Sequence, residues 1–150
     1  MSTSPPKKRR PKLPAPMPMH APKQQQGHAF EQQARAYLEA KGLSYLAHNW
    51  QQAGVGEIDL IMLERGTAWD IVVFIEVRQR RVSHFGDAIE SVTRKKQQNI
   101  VKTAKHFLQQ HPQYADCECR FDVLGYSGTD AQGAASAPTW IQGAFMAQAW

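Results

Sequence analysis

The sequence predicts an α/β domain with a mixed sheet flanked by helices, and three observations carry that expectation. Stretches of helical periodicity alternate with stretches of strand character through residues 27–150. The run Ile71-Val72-Val73-Phe74-Ile75-Glu76-Val77 is β-branched and apolar almost throughout, as a strand covered on both faces must be. Ahead of it Glu57 to Leu63 alternates, and the loop from Glu64 to Asp70 joins the two strands as a hairpin.

Taken in order, the first helix runs over Ala29 to Ala40, with apolar residues at Phe30, Ala34, Tyr37 and Leu38 and a stop at Gly42. Leu43 to Trp50 is a short strand ending in a Gln-Gln-Ala-Gly turn. In the next strand Glu57, Asp59, Ile61 and Leu63 fall on one face, and Ile58, Leu60 and Met62 on the other. After the central strand a long helix carries Ile89, Val92, Ile100, Ala104, Phe107 and Leu108 on its apolar stripe, and Pro112 ends it. Thr93 is suited to cap a helix that starts there, which would break the stripe near Ser91-Val92-Thr93. Arg120 to Gly125 and Thr139 to Ala144 are two further strands, separated by a long Gly/Ser/Ala-rich loop. The order is α-β-β-β-α-β-β.

Charge is unevenly spread. The chain has 18 Lys/Arg against 13 Asp/Glu, but residues 1–26 hold six of the bases, no acid and seven of the nine prolines. Such a segment cannot offset its own ordering entropy, so it is expected to be a disordered tail outside the fold. Its run Lys7-Lys8-Arg9-Arg10-Pro11-Lys12 has the composition of a phosphate-attracting or nuclear-import segment, and equally of a plain solvated tail. No run of about 18 apolar residues is present, which excludes a membrane helix. No apolar stretch follows the N-terminal bases, so no secretory signal is expected, and two cysteines cannot staple a fold of this size; a cytoplasmic protein follows.

Residues 27–150 are nearly neutral, yet Arg78, Arg80, Arg81, Arg94, Lys95, Lys96, Lys102 and Lys105 face only Asp87 and Glu90 over that stretch. Segregation of this kind makes a basic face, and basic faces concentrate polyanions. Arg80, Arg81, Arg94, Lys95, Lys96 and Lys102 are therefore the candidate nucleic-acid contacts.

Two acids interrupt strands that should be apolar: Glu76 in the central strand and Asp59 in Ile58-Asp59-Leu60-Ile61. Burying an unpaired carboxylate costs several kcal/mol, so each needs a partner or a function. Arg78, two residues beyond Glu76, shares its face. If the hairpin is symmetric about 67–68, paired residue numbers sum to 135; Asp59 then lies opposite Glu76, and Glu57 opposite Arg78, with facing Cβ atoms roughly 5 Å apart. Carboxylates that close repel unless one is protonated or a cation separates them. Mg²⁺ or Mn²⁺, which favour hard oxygen ligands, would satisfy the pair; so would an ion pair of Asp59 or Glu76 with Arg78 and no metal.

The segments Gly56-Glu57-Ile58-Asp59-Leu60-Ile61, Val73-Phe74-Ile75-Glu76-Val77-Arg78-Gln79-Arg80, Phe85-Gly86, Arg120-Phe121-Asp122-Val123 and Trp140-Ile141-Gln142-Gly143-Ala144-Phe145 resemble, in order, the YraN family of small bacterial proteins. That family resembles the restriction-endonuclease-like, or PD-(D/E)XK, nucleases, with Holliday-junction resolvases as near relatives. The resemblance implies an αβββαβ core, Asp59 and Glu76 as catalytic and metal-ligating acids, and Glu31 on the first helix as an additional acid holding metal through water. It also implies Mg²⁺ or Mn²⁺ as cofactor and DNA as partner. Junction-cleaving relatives work as two-fold dimers, which makes a homodimer an assembly to test. Arg78 stands where the superfamily has a lysine, and Ile58 where the motif has proline. A guanidinium stays protonated and cannot accept a proton from water, though it can clamp phosphate or steady developing negative charge.

The remaining motifs carry less. Cys117-Glu118-Cys119 lacks a second ligand pair at zinc spacing. His28 and His84 are expected at the surface or as caps, and Trp50, Trp69, Trp140 and Trp150 in core or edge packing. The expected activity is metal-dependent cleavage of structured DNA. A binding module without catalysis is the first alternative, and an adaptor whose basic face meets an acidic protein is the second. Salt separates the last from the others, because phosphate contacts make log K fall linearly with log salt.

Overall fold

The computed structural model describes residues 22–79, 92–126 and 137–147, with side chains from residue 30 onward. Helix α1 (Pro22–Ala40) is followed by strands β1 (Ser44–Gln52), β2 (Gly56–Glu64) and β3 (Ile71–Gln79). Helix α2 (Arg94–Gln110), a 3-10 turn (Pro112–Tyr114), β4 (Glu118–Tyr126) and β5 (Thr139–Phe145) complete the elements of the described residues. The five strands form one sheet in the order β1-β2-β3-β4-β5; β3 and β4 are parallel and every other pair is antiparallel. The parallel pair requires a crossover, and α2 supplies it. The expected order of elements therefore holds. No helix among the described residues is long and apolar enough to cross a membrane.

α1 starts seven residues earlier than Ala29, so residues 22–26 belong to the helix and not to the tail. Pro22 occupies the first helical position, where its missing N–H costs nothing, and Lys23 to Gln26 are good helix formers. Residues 1–21 lie outside the described residues, as do Arg80, Arg81, His84, Phe85, Gly86, Ile89, most of the β4–β5 loop and Trp150. α1 ends in a Schellman turn: Leu43 N–H donates to Leu38 O and Gly42 N–H to Glu39 O, with Gly42 at φ +97° where a Cβ would be strained. Thr93 caps α2, its hydroxyl oxygen accepting from Lys96 N–H at 3.2 Å. Val92 is buried but precedes the helix, so the long stripe is broken where Thr93 predicts.

The helices cover opposite faces of the sheet. Ala34 and Leu38 of α1 pack with Leu60, Met62, Val73, Ile75, Leu124 and Tyr126. Ile100, Val101, Ala104 and Phe107 of α2 pack with Ile61, Leu63, Val72, Phe74, Phe121 and Val123. Ile58 is a correction: alternation assigns it to the face of Leu60 and Met62, but it packs on the α2 side. The alternation breaks at Asp59, beside Asn49 of β1, whose backbone is left-handed at φ +46°. Trp69, at the β2–β3 turn, is 55% exposed rather than packed. Trp50 and Trp140 do pack, edge-on against Phe107 and Tyr37.

β2 and α2 approach closely at Gly56, where a Cβ would lie 2.8 Å from Thr103 Oγ1. Thr103 is fully buried and donates its hydroxyl to Asn99 O at 2.7 Å, so it cannot turn aside cheaply. Gly56→Ala is expected to destabilise the fold by about 1–2 kcal/mol, read as a lower urea midpoint at unchanged m.

Candidate functional site

The hairpin register is the one symmetry predicts. Glu64 pairs with Ile71 and Leu60 with Ile75, so paired numbers sum to 135 along this ladder. The ladder stops there. Beyond it β2 continues on β1 as far as Gly56, and β3 continues on β4 as far as Gln79. Asp59 and Glu76 are the first positions past the last pair, at a fork in the sheet. Asp59 Oδ2 accepts Val77 N–H at 2.9 Å, a donor the β2–β3 ladder leaves free. The Glu57–Arg78 pairing expected from the same register does not form: the ladder ends short of it, Glu57 is exposed on the rim, and Arg78 turns to Glu76.

The fork opens into a cleft of about 350 Å³ lined by Gly56, Glu57, Asp59, Glu76, Thr93, Lys95, Lys96, Asn99 and Ile100. Glu76 is 3% exposed. Its Oε1 receives Lys96 Nζ at 2.7 Å and Arg78 Nε at 3.4 Å. The Arg78 Nε is itself buried and makes no hydrogen bond. Among the described residues no cation pairs with Asp59. Burial first, then the charge of Glu76 and a hydrogen bond to it, push Asp59 up to about 8, against the lowering effect of Val77 N–H. Glu31 adds its charge from α1 and accepts Asn49 Nδ2 at 2.9 Å through Oε2.

The structure thus brings Asp59, Glu76 and Arg78 together, and puts Glu31 near enough to act on Asp59 by charge. Among the described residues no group of three or more His, Cys, Asp or Glu stands at ligating distances; Asp59 and Glu76 are the two carboxylates that could hold a cation in the cleft. Two hard oxygens that repel each other would fit a divalent cation, and burial first, then that repulsion, raises the proton affinity of Asp59. The ion-pair alternative is present as well, because Arg78 and Lys96 already neutralise Glu76.

On α2 the exposed Arg94, Lys95, Lys102 and Lys105 fall within about 100° of helical arc and form an outward basic face. Lys96 does not belong to it; it points inward to Glu76. Arg80 and Arg81 lie outside the described residues. Arg94, Lys95 and Lys96 occupy the first turn of α2, which has no acid, although cations there oppose the helix dipole at about 0.3–1 kcal/mol each. An anion at that end offsets the cost, and Glu76 supplies one. Cys117 precedes β4, half-buried, and Cys119 is exposed; burial first, then Cys117 and Glu118, raise the Cys119 thiol above its ordinary range, so Cys119 is not an activated nucleophile.

Three residues of the site carry no chemical motif of their own. Asn49 holds Glu31, Thr93 caps the helix that lines the cleft, and Lys96 neutralises Glu76. Lys96 has a signal nonetheless: with Ile100, Thr103 and Phe107 it follows the inward spacing of α2.

The family model described as Uncharacterised protein family UPF0102 matches residues 30–125. A UPF0102 protein of Psychrobacter sp. (strain PRwf-1) is 50% identical over 133 residues, covering 87% of this chain and 94% of that protein. The UPF0102 protein YraN of Escherichia coli O1:K1 / APEC is 45% identical over 122 residues, 81% of this chain and 84% of its own length. A UPF0102 protein of Pseudomonas putida (strain GB-1) is 41% identical over 133 residues, 89% of this chain and 98% of its own.

Proposed function

This chain belongs to the UPF0102 family, and on that footing we propose that it is a nuclease-fold, nucleic-acid-binding protein that hydrolyses phosphodiester bonds of structured DNA with Mg²⁺ or Mn²⁺. One observation carries the reading: two carboxylates from neighbouring strands share a cleft, and one of them, Glu76, is ion-paired to Arg78 and Lys96. The restriction-endonuclease-like character of the fold is supported by the element order and by acids at the fork between the second and third strands.

Asp59 and Glu76 would hold the metal, which when bound supplies an activated water and polarises the scissile phosphate. The residues of the chain do the rest. The Arg78 guanidinium, held against Glu76 through its Nε, would steady negative charge as it develops on a phosphate. Lys95, on the cleft rim, and Lys102, about two helical turns further along the same face, would bind the flanking phosphates and set the backbone's path. The Asp59–Val77 hydrogen bond fixes one carboxylate oxygen of Asp59 at the cleft wall.

A second reading, binding without cleavage, is favoured by one feature: arginine cannot take a proton from water as a lysine at that position could. Incubation of the full chain with branched, single-stranded and duplex DNA plus Mn²⁺ separates the two. Cleavage that Glu76→Ala lowers by about 10³-fold or more supports the enzyme. Retention on DNA with neither protein cutting supports the binding module.

A further inference from the structure

We infer that Lys96 is a built-in stand-in cation: it occupies the charge position at Glu76 that a divalent ion takes, and release by the ion frees it for a phosphate. The inference rests on the metal-site reading above and deepens it. The shorter of the two ion pairs at Glu76 is made by Lys96, at 2.7 Å, not by Arg78, at 3.4 Å. Arg78 sits on the same strand two residues on and has little freedom to leave. Lys96 reaches in from the first turn of α2 on a flexible stem, and its side chain is 43% exposed, so it can swing outward without crossing the core. Outward of it lie Lys95 and the basic face, the side from which a polyanion would approach.

Charge then makes the two ligands cooperative. A metal-free site holds Lys96 on Glu76, where it cannot contact a phosphate. A loaded site holds the acids with the ion and adds one lysine to the phosphate contacts. By linkage, whatever Lys96 gains on nucleic acid strengthens metal binding by the same factor, while without nucleic acid Lys96 competes with the metal.

Two measurements on the full chain test this. In calorimetric titration with Mn²⁺ alone, Lys96→Met is expected to bind about five- to tenfold more tightly than the wild type, since a competing charged hydrogen bond is gone; Lys96→Arg, which keeps the charge, is expected to gain nothing. In EDTA, Glu76→Gln is expected to tighten binding of a short DNA duplex and to steepen the dependence of log K on log salt by about one ion. That gain is expected to vanish in Glu76→Gln/Lys96→Met. Unchanged or weaker Mn²⁺ binding by Lys96→Met, or a Glu76→Gln gain that survives in the double variant, overturns the inference and leaves the metal site standing. Absence of Mn²⁺ binding by the wild type overturns both.

Discussion

Asp59→Asn will make the metal-free protein more stable at alkaline pH, by several kcal/mol at pH 9, and will leave it nearly unchanged below pH 4. The wild-type carboxyl is pushed from an ordinary 3.8 up to about 8 by burial and then by Glu76. Between those values the folded chain holds a proton that the unfolded chain has released. The native state binds more protons, so the Asp59 contribution to stability is full below pH 4, falls as pH rises and is exhausted above pH 8. The maximum slope is about 1.4 kcal/mol per pH unit. Asparagine reproduces the protonated form: it accepts from Val77 N–H and donates to Glu76, and it does not titrate. The difference between variant and wild type, from urea unfolding at pH 4, 6, 8 and 9 in EDTA, isolates Asp59 from the other carboxylates. Mn²⁺ at pH 9 is expected to recover the deficit in the wild type and to do nothing for the variant. A difference that is flat with pH would mean that neither burial nor Glu76 raises the Asp59 carboxyl.

Most of the fold is legible in the sequence because period and burial agree locally. Ile71–Val77 can only be a central strand, and loop symmetry alone sets the hairpin register that the Leu60–Ile75 and Glu64–Ile71 pairs obey. The start of α1 is missed because composition counts Pro22 against order, whereas at the first helical position its ring fits. The break in alternation at Ile58 is invisible to any local rule. It depends on Asn49 turning left-handed on the neighbouring strand and on Asp59 capturing Val77 N–H, both of them tertiary events. The acidic pair is legible because charge inside an apolar strand is conspicuous. The role of Lys96 is hidden for the opposite reason: one base among eight in a basic stretch draws no notice, although its spacing to Ile100, Thr103 and Phe107 places it inward.

The second large effect has the opposite sign from the first and comes from an acid on the same sheet. Asp122→Ala is expected to cost about 3–5 kcal/mol, a fall in Tm of about 10–20 °C, with metal and nucleic-acid binding unchanged where the protein remains folded. Asp122 is 0% exposed, like an apolar core residue, but its oxygens accept four hydrogen bonds. Arg120 Nε and Nη2 donate at 2.9 and 3.0 Å, Trp140 Nε1 at 2.9 Å and Gly143 N–H at 2.9 Å. These bonds span the irregular stretch where the β4–β5 register shifts between Phe121 and Val123, so they tie an edge strand to the sheet. Burial works against the Arg120 charge, yet Asp122 together with Glu64 raises its pKa above the ordinary value, a sign of how strongly the carboxylate is engaged. Truncation strands an indole N–H, a backbone N–H and half of a guanidinium away from water. Asp122→Asn is expected to be nearly as damaging, because an amide turns one acceptor into a donor among donors. The contrast with Asp59→Asn is the point: a carboxylate among four donors needs its charge, whereas one that meets a single donor and a second acid is better without it until a cation arrives. Equal and same-signed effects of the two asparagine substitutions, measured side by side in EDTA at pH 9, would show that burial alone and not the partners decides the fate of acids in this sheet.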